Sequence, residues 1–306
     1  MFKQFCQTLT GERPFISVEI NPPHGADIAG IIEQIRQHRL HKKVSAFSVT
    51  DNALARLKMS AVLSALKIQQ AFGMPVMATM SMRDRNKLSL QSELLGANAF
   101  DLRLILALTG DPAKLSDQPE VKGVLERDST LLLSIIYRLN NGTDYSGQVL
   151  DPAPRPIYPF AVSDATAKNM KHLLKRMVKK LDYGARGIFT QPVFDAAGAR
   201  ELIALFEEAK TLSIRESARE AQLILGQFPI VRARTATFID DRVPGIHVPK
   251  AIIDAMNLAA MDGAEKEYAV GFDLSREIFD TMLALHGNVH LMTHNRFKLC
   301  AEIIGD

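Results

Sequence analysis

Eight short apolar runs, each followed by a polar or amphipathic stretch, constrain the fold of this 306-residue chain more than any other feature. After the first run, Ile28, Ile31 and Ile35 recur at the spacing of one helix face. The runs therefore predict strands, and the stretches between them predict helices. The eight predicted strands are Phe15–Ile20, Ala46–Thr50, Val76–Ser81, Leu102–Leu108, Pro156–Val162, Gly187–Val193, Ala221–Phe228 and Asn288–Thr293.

The predicted helices follow these strands in alternation. Asp128 is expected to cap the helix after the fourth strand, and Gly184 to end the helix after the fifth. The predicted helices are Asp27–Arg39, Met59–Phe72, Leu88–Ala99, Ser129–Leu139, Lys168–Tyr183, Ala199–Ala209, a short one near Arg234–Ile239, Pro249–Met261, Lys266–Leu285 and Arg296–Ile304.

Eight strand–helix units predict an α/β fold, a (β/α)8 TIM barrel forming a single domain over residues 1–306. The fifth strand is the weakest, because Pro156 and Pro159 cannot donate to a strand ladder. A doubly wound sheet is the competing architecture. It would normally carry a glycine-rich phosphate loop, and the sequence contains neither GxGxxG nor GxxxxGK[ST].

Charge, cysteine content and hydropathy exclude several classes of protein. The 37 Lys and Arg residues balance 34 Asp and Glu, so no nucleic-acid partner is expected. Cys6 and Cys300 form neither a disulfide framework nor a zinc spacing, so no metal site is expected. No apolar stretch of about 18 residues and no signal segment is present, which predicts a cytoplasmic protein without a membrane partner.

In a barrel of this type the active site forms at the carboxyl ends of the strands. Glu19 lies at such an end in "FISVEINPPHG", flanked by Val18 and Ile20. Apolar surroundings raise the pKa of a carboxyl group, because loss of water disfavours the charged form, and a carboxyl protonated near neutral pH can serve as a general acid. A solvent-facing glutamate on an edge strand is the alternative.

Two further strand ends carry candidate ligand-binding residues. In "TGDP", Gly110 lets a ligand approach the backbone before Asp111, although an ordinary β-turn has the same composition. In "IFTQPVFD", the amide of Gln191 can donate and accept at once, which suits the edge of a heterocycle, although a buried structural Gln fits as well. His24 stands alone at the strand ends and no run contains a Lys, which disfavours a metal-dependent hydrolase and a Schiff-base aldolase.

Five segments occur in this order along the chain: "SVEINPPHG", "FSVTDNA", "MSMRDRNKLSLQSELLGANAFDLRLILALTGDP", "YGARGIFTQPVFD" and "HLMTHNR". Together they resemble the 5,10-methylenetetrahydrofolate reductase family, from about Phe15 to the C-terminus. The resemblance implies an FAD-containing oxidoreductase of one-carbon metabolism and methionine biosynthesis. Such an enzyme reduces 5,10-methylenetetrahydrofolate to 5-methyltetrahydrofolate by hydride transfer from reduced FAD N5 to the folate methylene carbon.

The resemblance also implies roles for particular residues. Glu19 would be the general acid that protonates N10 of the folate, and Asp111 the catalytic carboxylate beside the flavin N1–C2=O edge. Substrate binding would involve Glu19, Gln191 and Arg296. Flavin binding would involve Thr50, Thr79, Ser81, Gly110, Asp111, Asp128, Phe160 and Lys180, of which Phe160 and Lys180 are assigned by their spacing from Gln191.

The sequence departs from the family pattern at three places. Thr79 stands where many members have a His, Leu108 begins "LTGD" where many have "RGD", and Thr235 stands where some have a Gln. The expected reductant is therefore NADH, NADPH or a partner electron-transfer subunit, and an oligomer is expected. Two alternatives stay open: a non-autonomous FAD and folate subunit that takes electrons from, or passes methyl groups to, a partner protein, and a folate-binding barrel that transfers methyl groups to a corrinoid without redox chemistry.

Overall fold

Eight parallel strands close into a barrel in the order in which they occur in the chain, and β8 pairs with β1. The computed structural model describes residues 1–11, 13–166, 169–243 and 245–305. This architecture confirms the predicted (β/α)8 TIM barrel. The strands are β1 Phe15–Ile20, β2 Ala46–Val49, β3 Val76–Ser81, β4 Leu104–Leu108, β5 Tyr158–Ser163, β6 Gly187–Pro192, β7 Gln222–Gln227 and β8 Asn288–Leu291.

Strand β5 is fully integrated in the barrel despite its proline. It pairs with β4 and with β6, and the carbonyl of Pro159 accepts a hydrogen bond from the Arg186 backbone N–H at 2.8 Å. Proline removes a donor from the ladder but leaves an acceptor. One missing N–H therefore does not exclude a strand that has partners on both sides.

Helices alternate with the strands and cover the outside of the barrel. Asp128 caps α6 as predicted, since its carboxylate accepts a hydrogen bond from the Thr130 N–H at 3.0 Å. The predicted helix Lys168–Tyr183 corresponds to α7, although Lys168 itself lies outside the described residues. The helices are α1 Phe2–Thr10, α2 Ala29–Gln37, α3 Leu40–Lys43, α4 Ala61–Phe72, α5 Lys87–Ala99, α6 Ser129–Asn140, α7 Met170–Asp182, α8 Ala196–Leu212, α9 Ala233–Arg242, α10 Lys250–Met261, α11 Ala264–Leu285 and α12 Phe297–Ile304.

Helix α1 precedes the first strand and was not predicted. It lies against the amino-terminal end of the barrel, where Phe2, Phe5 and Leu9 are buried. The ring of Phe5 meets the rings of Phe15 and Phe160 edge-on, with centroids 5.4 and 5.8 Å apart. This end of the barrel is therefore filled by an aromatic floor.

The barrel interior changes character along the strands. Phe15, Ala46 and Met77 belong to the floor cluster, and side chains two positions further along a strand point the same way. On β1, β2 and β3 those next inward residues are Ser17, Ser48 and Thr79. The interior is thus apolar at the closed end and polar towards the carboxyl ends of the strands.

No helix among the described residues is long and apolar enough to cross a membrane.

We expect the floor to contribute strongly to stability. Phe5→Ala should lower the free energy of unfolding by about 3–5 kcal/mol, because it removes a fully buried ring and leaves a cavity. Phe100→Ala is the matched control, since Phe100 is 68% exposed and its loss should change little. Equal denaturant midpoints for the two variants in urea unfolding would contradict a structural role for α1.

Candidate active site

A cavity of ≈ 180 Å³ opens at the carboxyl ends of the strands, above the polar part of the interior. Its walls combine polar groups with apolar side chains, and both kinds come from several strands and the loops that follow them. The lining residues are Glu19, Ser48, Thr50, Asp51, Ala53, Thr79, Leu106, Leu108, Gly110, Asp111, Val162, Phe189, Thr190, Gln191, His290 and Met292.

Glu19 carries the one carboxyl group that β1 sends into this cavity. Strand β1 pairs with β2 and with β8, so Glu19 does not lie on an edge strand. Burial raises the pKa of Glu19 to about 7, and the Asn21 amide, whose Nδ2 donates to Oε1 at 3.4 Å, opposes that rise. A substantial fraction of Glu19 is therefore protonated at neutral pH, as a general acid requires.

His290 lines the same cavity and was not among the predicted site residues. Its Nδ1 lies 2.9 Å from Oγ of Ser17 on the neighbouring strand. Burial lowers the pKa of His290 to about 4, so the imidazole is neutral at physiological pH. The sequence pattern could have identified it, because His290 lies between the apolar residues Val289 and Leu291 within a predicted strand.

Gly110 brings bare backbone to the cavity. Its φ of +94° is a left-handed conformation, and a Cβ atom there would lie 2.9 Å from Cβ of Arg83 and 3.1 Å from Cβ of Ser81. Both the backbone angle and the close packing require glycine. The Oγ of Ser81 is buried behind Gly110 without a hydrogen-bond partner among the described residues.

Asp111 lines the cavity and also fixes the loop after β2. Its Oδ2 accepts a hydrogen bond from the Leu54 backbone N–H at 2.7 Å. Asn52, Leu54 and Ala55 in that loop all have positive φ values. Because such angles are costly for residues with a side chain, this hydrogen bond helps to hold a strained segment in the cavity wall.

Buried ion pairs fix the loop after β3. Asp51 accepts a hydrogen bond from the Ser81 N–H at 2.9 Å and pairs with Arg85 at 2.6 Å. Arg85 also pairs with Glu93 on α5 at 2.5 Å. The cavity wall formed by Asp51 is therefore held by a partner on each side, and sequence reasoning did not find this network.

A bulge directs Gln191 into the cavity. Phe189 pairs with Ile224 and Pro192 pairs with Gly226, so β6 contains one more residue than β7 between these pairs. The Thr190 hydroxyl stabilises the bulge by donating to the Gln191 carbonyl and accepting from the Gly226 N–H, both at 2.8 Å. A bulge re-aims side chains, and here Phe189, Thr190 and Gln191 all reach the cavity.

The cavity brings together six of the residues predicted from sequence. They come from five strands and the loops after them. The functional role of each residue stays a prediction. The six residues are Glu19, Thr50, Thr79, Gly110, Asp111 and Gln191.

The other predicted site residues lie behind or beside the cavity. Ser81 packs behind Gly110, and the ammonium group of Lys180 donates to the carbonyl of Val162 from behind the wall. Burial lowers the pKa of Lys180 to about 8. Asp128 caps α6 and pairs with Lys179 at 3.1 Å. Roles for these residues in flavin binding remain predictions.

Phe160 and Arg296 do not line the cavity either, and only Phe160 lies away from its expected place. Phe160 belongs to the aromatic floor, and Val162, two positions further along β5, reaches the cavity instead. Arg296 lies at the rim between the loops after β7 and β8, where it donates to the carbonyls of Pro229 at 3.3 Å and Thr293 at 3.1 Å. Phe160 therefore lies on β5, the strand predicted from its spacing to Gln191, but at the level of the aromatic floor.

Within the described ranges, no group of three or more His, Cys, Asp or Glu side chains could hold a metal ion.

The family model for methylenetetrahydrofolate reductase matches residues 4–306. The chain belongs to this family. The resemblance carried by the five sequence segments is thereby confirmed. No curated protein matched the sequence of this methylenetetrahydrofolate reductase family member.

Solved structures with the same fold share little sequence with this family member. An uncharacterized protein from Clostridium thermocellum, which binds two copies of 5-methyl-5,6,7,8-tetrahydrofolic acid, has a TM-score of 0.63 at 14% identity, covering 99% of this chain and 96% of its own. EDTA monooxygenase (EmoA) from Chelativorans sp. BNC1 has a TM-score of 0.58 at 12% identity, covering 96% and 92%. DmoA from Hyphomicrobium sulfonivorans has a TM-score of 0.56 at 8% identity, covering 95% and 86%.

Glu19→Gln should change how stability depends on pH. The pKa of Glu19 is raised in the folded protein, so the folded state holds this proton more tightly and wild-type stability falls as pH rises from about 4.5 to about 7. Gln cannot ionise, so between pH 4 and pH 8 the stability of the variant should rise relative to wild type by about 2 kcal/mol, a value reduced for solvent in the cavity. Urea unfolding at pH 4 and pH 8 measures this.

Glu208→Gln is the control for that experiment, because Glu208 is an exposed residue of α8. Its stability difference from wild type should be the same at both pH values. If the stability difference between Glu19→Gln and wild type is also the same at pH 4 and pH 8, the Glu19 carboxyl is not desolvated.

Gly110→Ala should destabilise the protein more than a matched glycine does. Gly184 has a φ of +87°, close to that of Gly110, but nothing lies within 4 Å of a Cβ atom there. Gly184→Ala should therefore cost about 1 kcal/mol, from backbone strain alone. Gly110→Ala adds the contacts with Ser81 and Arg83 and should cost at least about 2 kcal/mol. Equal thermal unfolding midpoints would contradict the close packing at Gly110.

Proposed function

We propose that this protein is a flavin-dependent 5,10-methylenetetrahydrofolate reductase. The observation that carries the proposal is one cavity in a chain of this family that contains Glu19 with a pKa of about 7, Asp111 and Gln191. A general acid, a fixed negative charge and a group that recognises a heterocycle are the three elements that such a reaction needs from the protein.

The residues of the cavity fit a flavin. Gly110 offers backbone with no side chain in the way, and the buried Ser81 Oγ behind it has an unused hydrogen-bonding capacity. Thr50 and Thr79 add hydroxyl groups, while Leu108 and other apolar residues offer surface for the face of a ring. A planar heterocycle with polar edges matches this lining, and when bound it would supply the hydride chemistry that the side chains lack.

Glu19 would donate the proton that opens the folate ring. Protonation of N10 breaks the bond from N10 to the methylene carbon and leaves a 5-iminium cation on the substrate. The environment of Glu19 suits this step, because burial keeps the proton on the carboxyl group up to about neutral pH. His290 is neutral and would add no competing positive charge.

Asp111 and Gln191 would serve the charged and the polar parts of the substrate. A carboxylate at the position of Asp111 stabilises a cation in a site with little water. The amide of Gln191, directed into the cavity by the β6 bulge, can donate and accept along a pterin edge. A folate ligand for this barrel shape is supported by the protein from Clostridium thermocellum, which binds 5-methyl-5,6,7,8-tetrahydrofolic acid.

The test is an anaerobic titration of the purified protein, reconstituted with FAD and followed by flavin absorbance. Wild type should take up FAD, be reduced by NADH, NADPH or a low-potential chemical donor, and be reoxidised by 5,10-methylenetetrahydrofolate. Glu19→Gln should bind FAD and accept electrons normally but lose about 10²–10⁴-fold in the rate of reoxidation, because ring opening lacks its acid. Glu208→Gln should behave as wild type.

The same titration separates the alternatives. A protein that never takes up flavin, or a Glu19→Gln variant that reoxidises at the wild-type rate, contradicts the proposal. Reduction by the low-potential donor but not by NADH or NADPH would indicate a subunit that depends on a partner for electrons. Methyl transfer from methyltetrahydrofolate to a corrinoid without any flavin change would favour a methyltransferase.

A further inference from the structure

Asn21 sits at the seam where the first and the last strand of the barrel meet. The pairing of β1 with β8 ends at Val18 and Leu291. Beyond that point the side-chain amide of Asn295, rather than the backbone of β8, bonds to the chain that follows β1. Its Oδ1 accepts from the Asn21 N–H at 2.8 Å, and its Nδ2 donates to the Asn21 carbonyl at 2.7 Å. This two-point contact fixes the Asn21 backbone two residues after Glu19.

The side chain of Asn21 is therefore held in a defined place beside Glu19 and Thr50, two residues that line the cavity. Its Oδ1 accepts a hydrogen bond from the Thr50 hydroxyl at 2.9 Å. Its Nδ2 lies 3.4 Å from Oε1 of Glu19 and 3.4 Å from Nδ1 of His294. Among the residues that the structure describes, Asn21 thus provides the side chain that hydrogen-bonds to the Glu19 carboxyl.

We propose that Asn21 is a positioning residue that holds the Glu19 carboxyl in both of its protonation states, with the Thr50 hydroxyl as its reversible partner. With Glu19 ionised, Nδ2 donates to the carboxylate and Oδ1 accepts from Thr50. With Glu19 protonated, a half-turn of the amide presents Oδ1 to the acid proton and Nδ2 to the Thr50 oxygen. Thr50 permits this exchange because a hydroxyl group can donate or accept.

This arrangement deepens the proposed function and rests on it for its catalytic meaning. A general acid must keep its orientation before and after it gives up the proton. An amide offers a donor to the ionised carboxylate and an acceptor to the acid proton, whereas a purely donating neighbour would leave the acid proton without an acceptor and a purely accepting one would leave the carboxylate without a donor. The pair Asn21 and Thr50 supplies such a neighbour.

Other titratable groups also face Glu19 and bear on its protonation. From the β8 side these are His290, which is neutral, and His294, whose pKa is lowered by burial and then by Arg296. From α12 it is the thiol of Cys300, whose pKa burial raises to about 12. Across the cavity lie Asp51, which pairs with Arg85, and Asp111. Each of them stays unchanged in the variants proposed below.

The test follows the protonation of Glu19 directly by infrared difference spectroscopy on the flavin-free protein. The carboxylic acid band of Glu19 is identified by its loss in Glu19→Gln. In Asn21→Ala the protonation midpoint should rise by roughly half a unit to one pH unit, because the ionised carboxyl loses its donor. Thr50→Val should also raise it, because Oδ1 of Asn21 then loses the donor that keeps Nδ2 turned towards the carboxylate, while Thr50→Ser, which keeps the hydroxyl, should leave the wild-type midpoint.

Asn169→Ala is the matched control, since the Asn169 side chain caps α7 by accepting from the His172 N–H, whereas that of Asn21 bonds to Glu19 and Thr50. It should leave the midpoint unchanged. If Asn21→Ala does not fold, the comparison of Thr50→Val with Thr50→Ser decides the question. A midpoint that stays at the wild-type value in both Asn21→Ala and Thr50→Val overturns the proposal and leaves Asn21 a structural residue.

The outcome is independent of the proposed reaction. A shifted midpoint in a protein that never reduces folate would keep the positioning role and reject the reductase function. A reductase whose reoxidation rate falls equally at every pH in Asn21→Ala, with no shift of its alkaline limb, would keep the function and reject the positioning role.

Discussion

The limited space inside a closed barrel governs the rest of this structure. Each strand turns every second side chain inward, and eight strands leave room for little more than those side chains. Helix α1 and the rings of Phe5, Phe15 and Phe160 fill one end, so the small inward residues that follow can leave free space only at the other end. The cavity is therefore what remains when large residues occupy the floor and small polar residues occupy the levels above it.

The chemistry of the cavity follows from its depth. A carboxyl group inside the barrel loses water, and Glu19 accordingly holds its proton to about pH 7. Asp51 is also buried but is ion-paired with Arg85, whereas Asp111 accepts a hydrogen bond from backbone. Three carboxyl groups around one cavity thus have three different partners, and it is Glu19 whose pKa burial raises to about 7.

The strands, their order and the barrel were predictable because buried parallel strands leave a strong apolar pattern. The placement of Glu19, Asp111 and Gln191 around one cavity was predictable because the carboxyl ends of the strands meet at one end of the barrel. Helix α1 was missed although Phe2, Phe5 and Leu9 show helical spacing, since nothing in the sequence says that a segment before β1 closes the barrel. The ion pairs of Arg85 and the contact between Asn21 and Asn295 join residues far apart in the chain, and no local pattern reports them. The depth of Phe160 in the barrel could not be predicted from its spacing to Gln191, because one bulge or gap between them changes the layer in which a side chain lies.

The seam between β1 and β8 has a consequence for how the protein folds. It joins Asn21 to Asn295 across 274 positions of the chain, so it can form only when the first and the last strand have come together. Contacts of such long sequence separation carry a high closure entropy and form slowly. The burial that raises the pKa of Glu19 depends on the same closure, because β8 pairs with β1 beside this residue. The acid therefore acquires its chemical character only when the ring of strands closes, and a partly folded barrel would contain an ordinary glutamate.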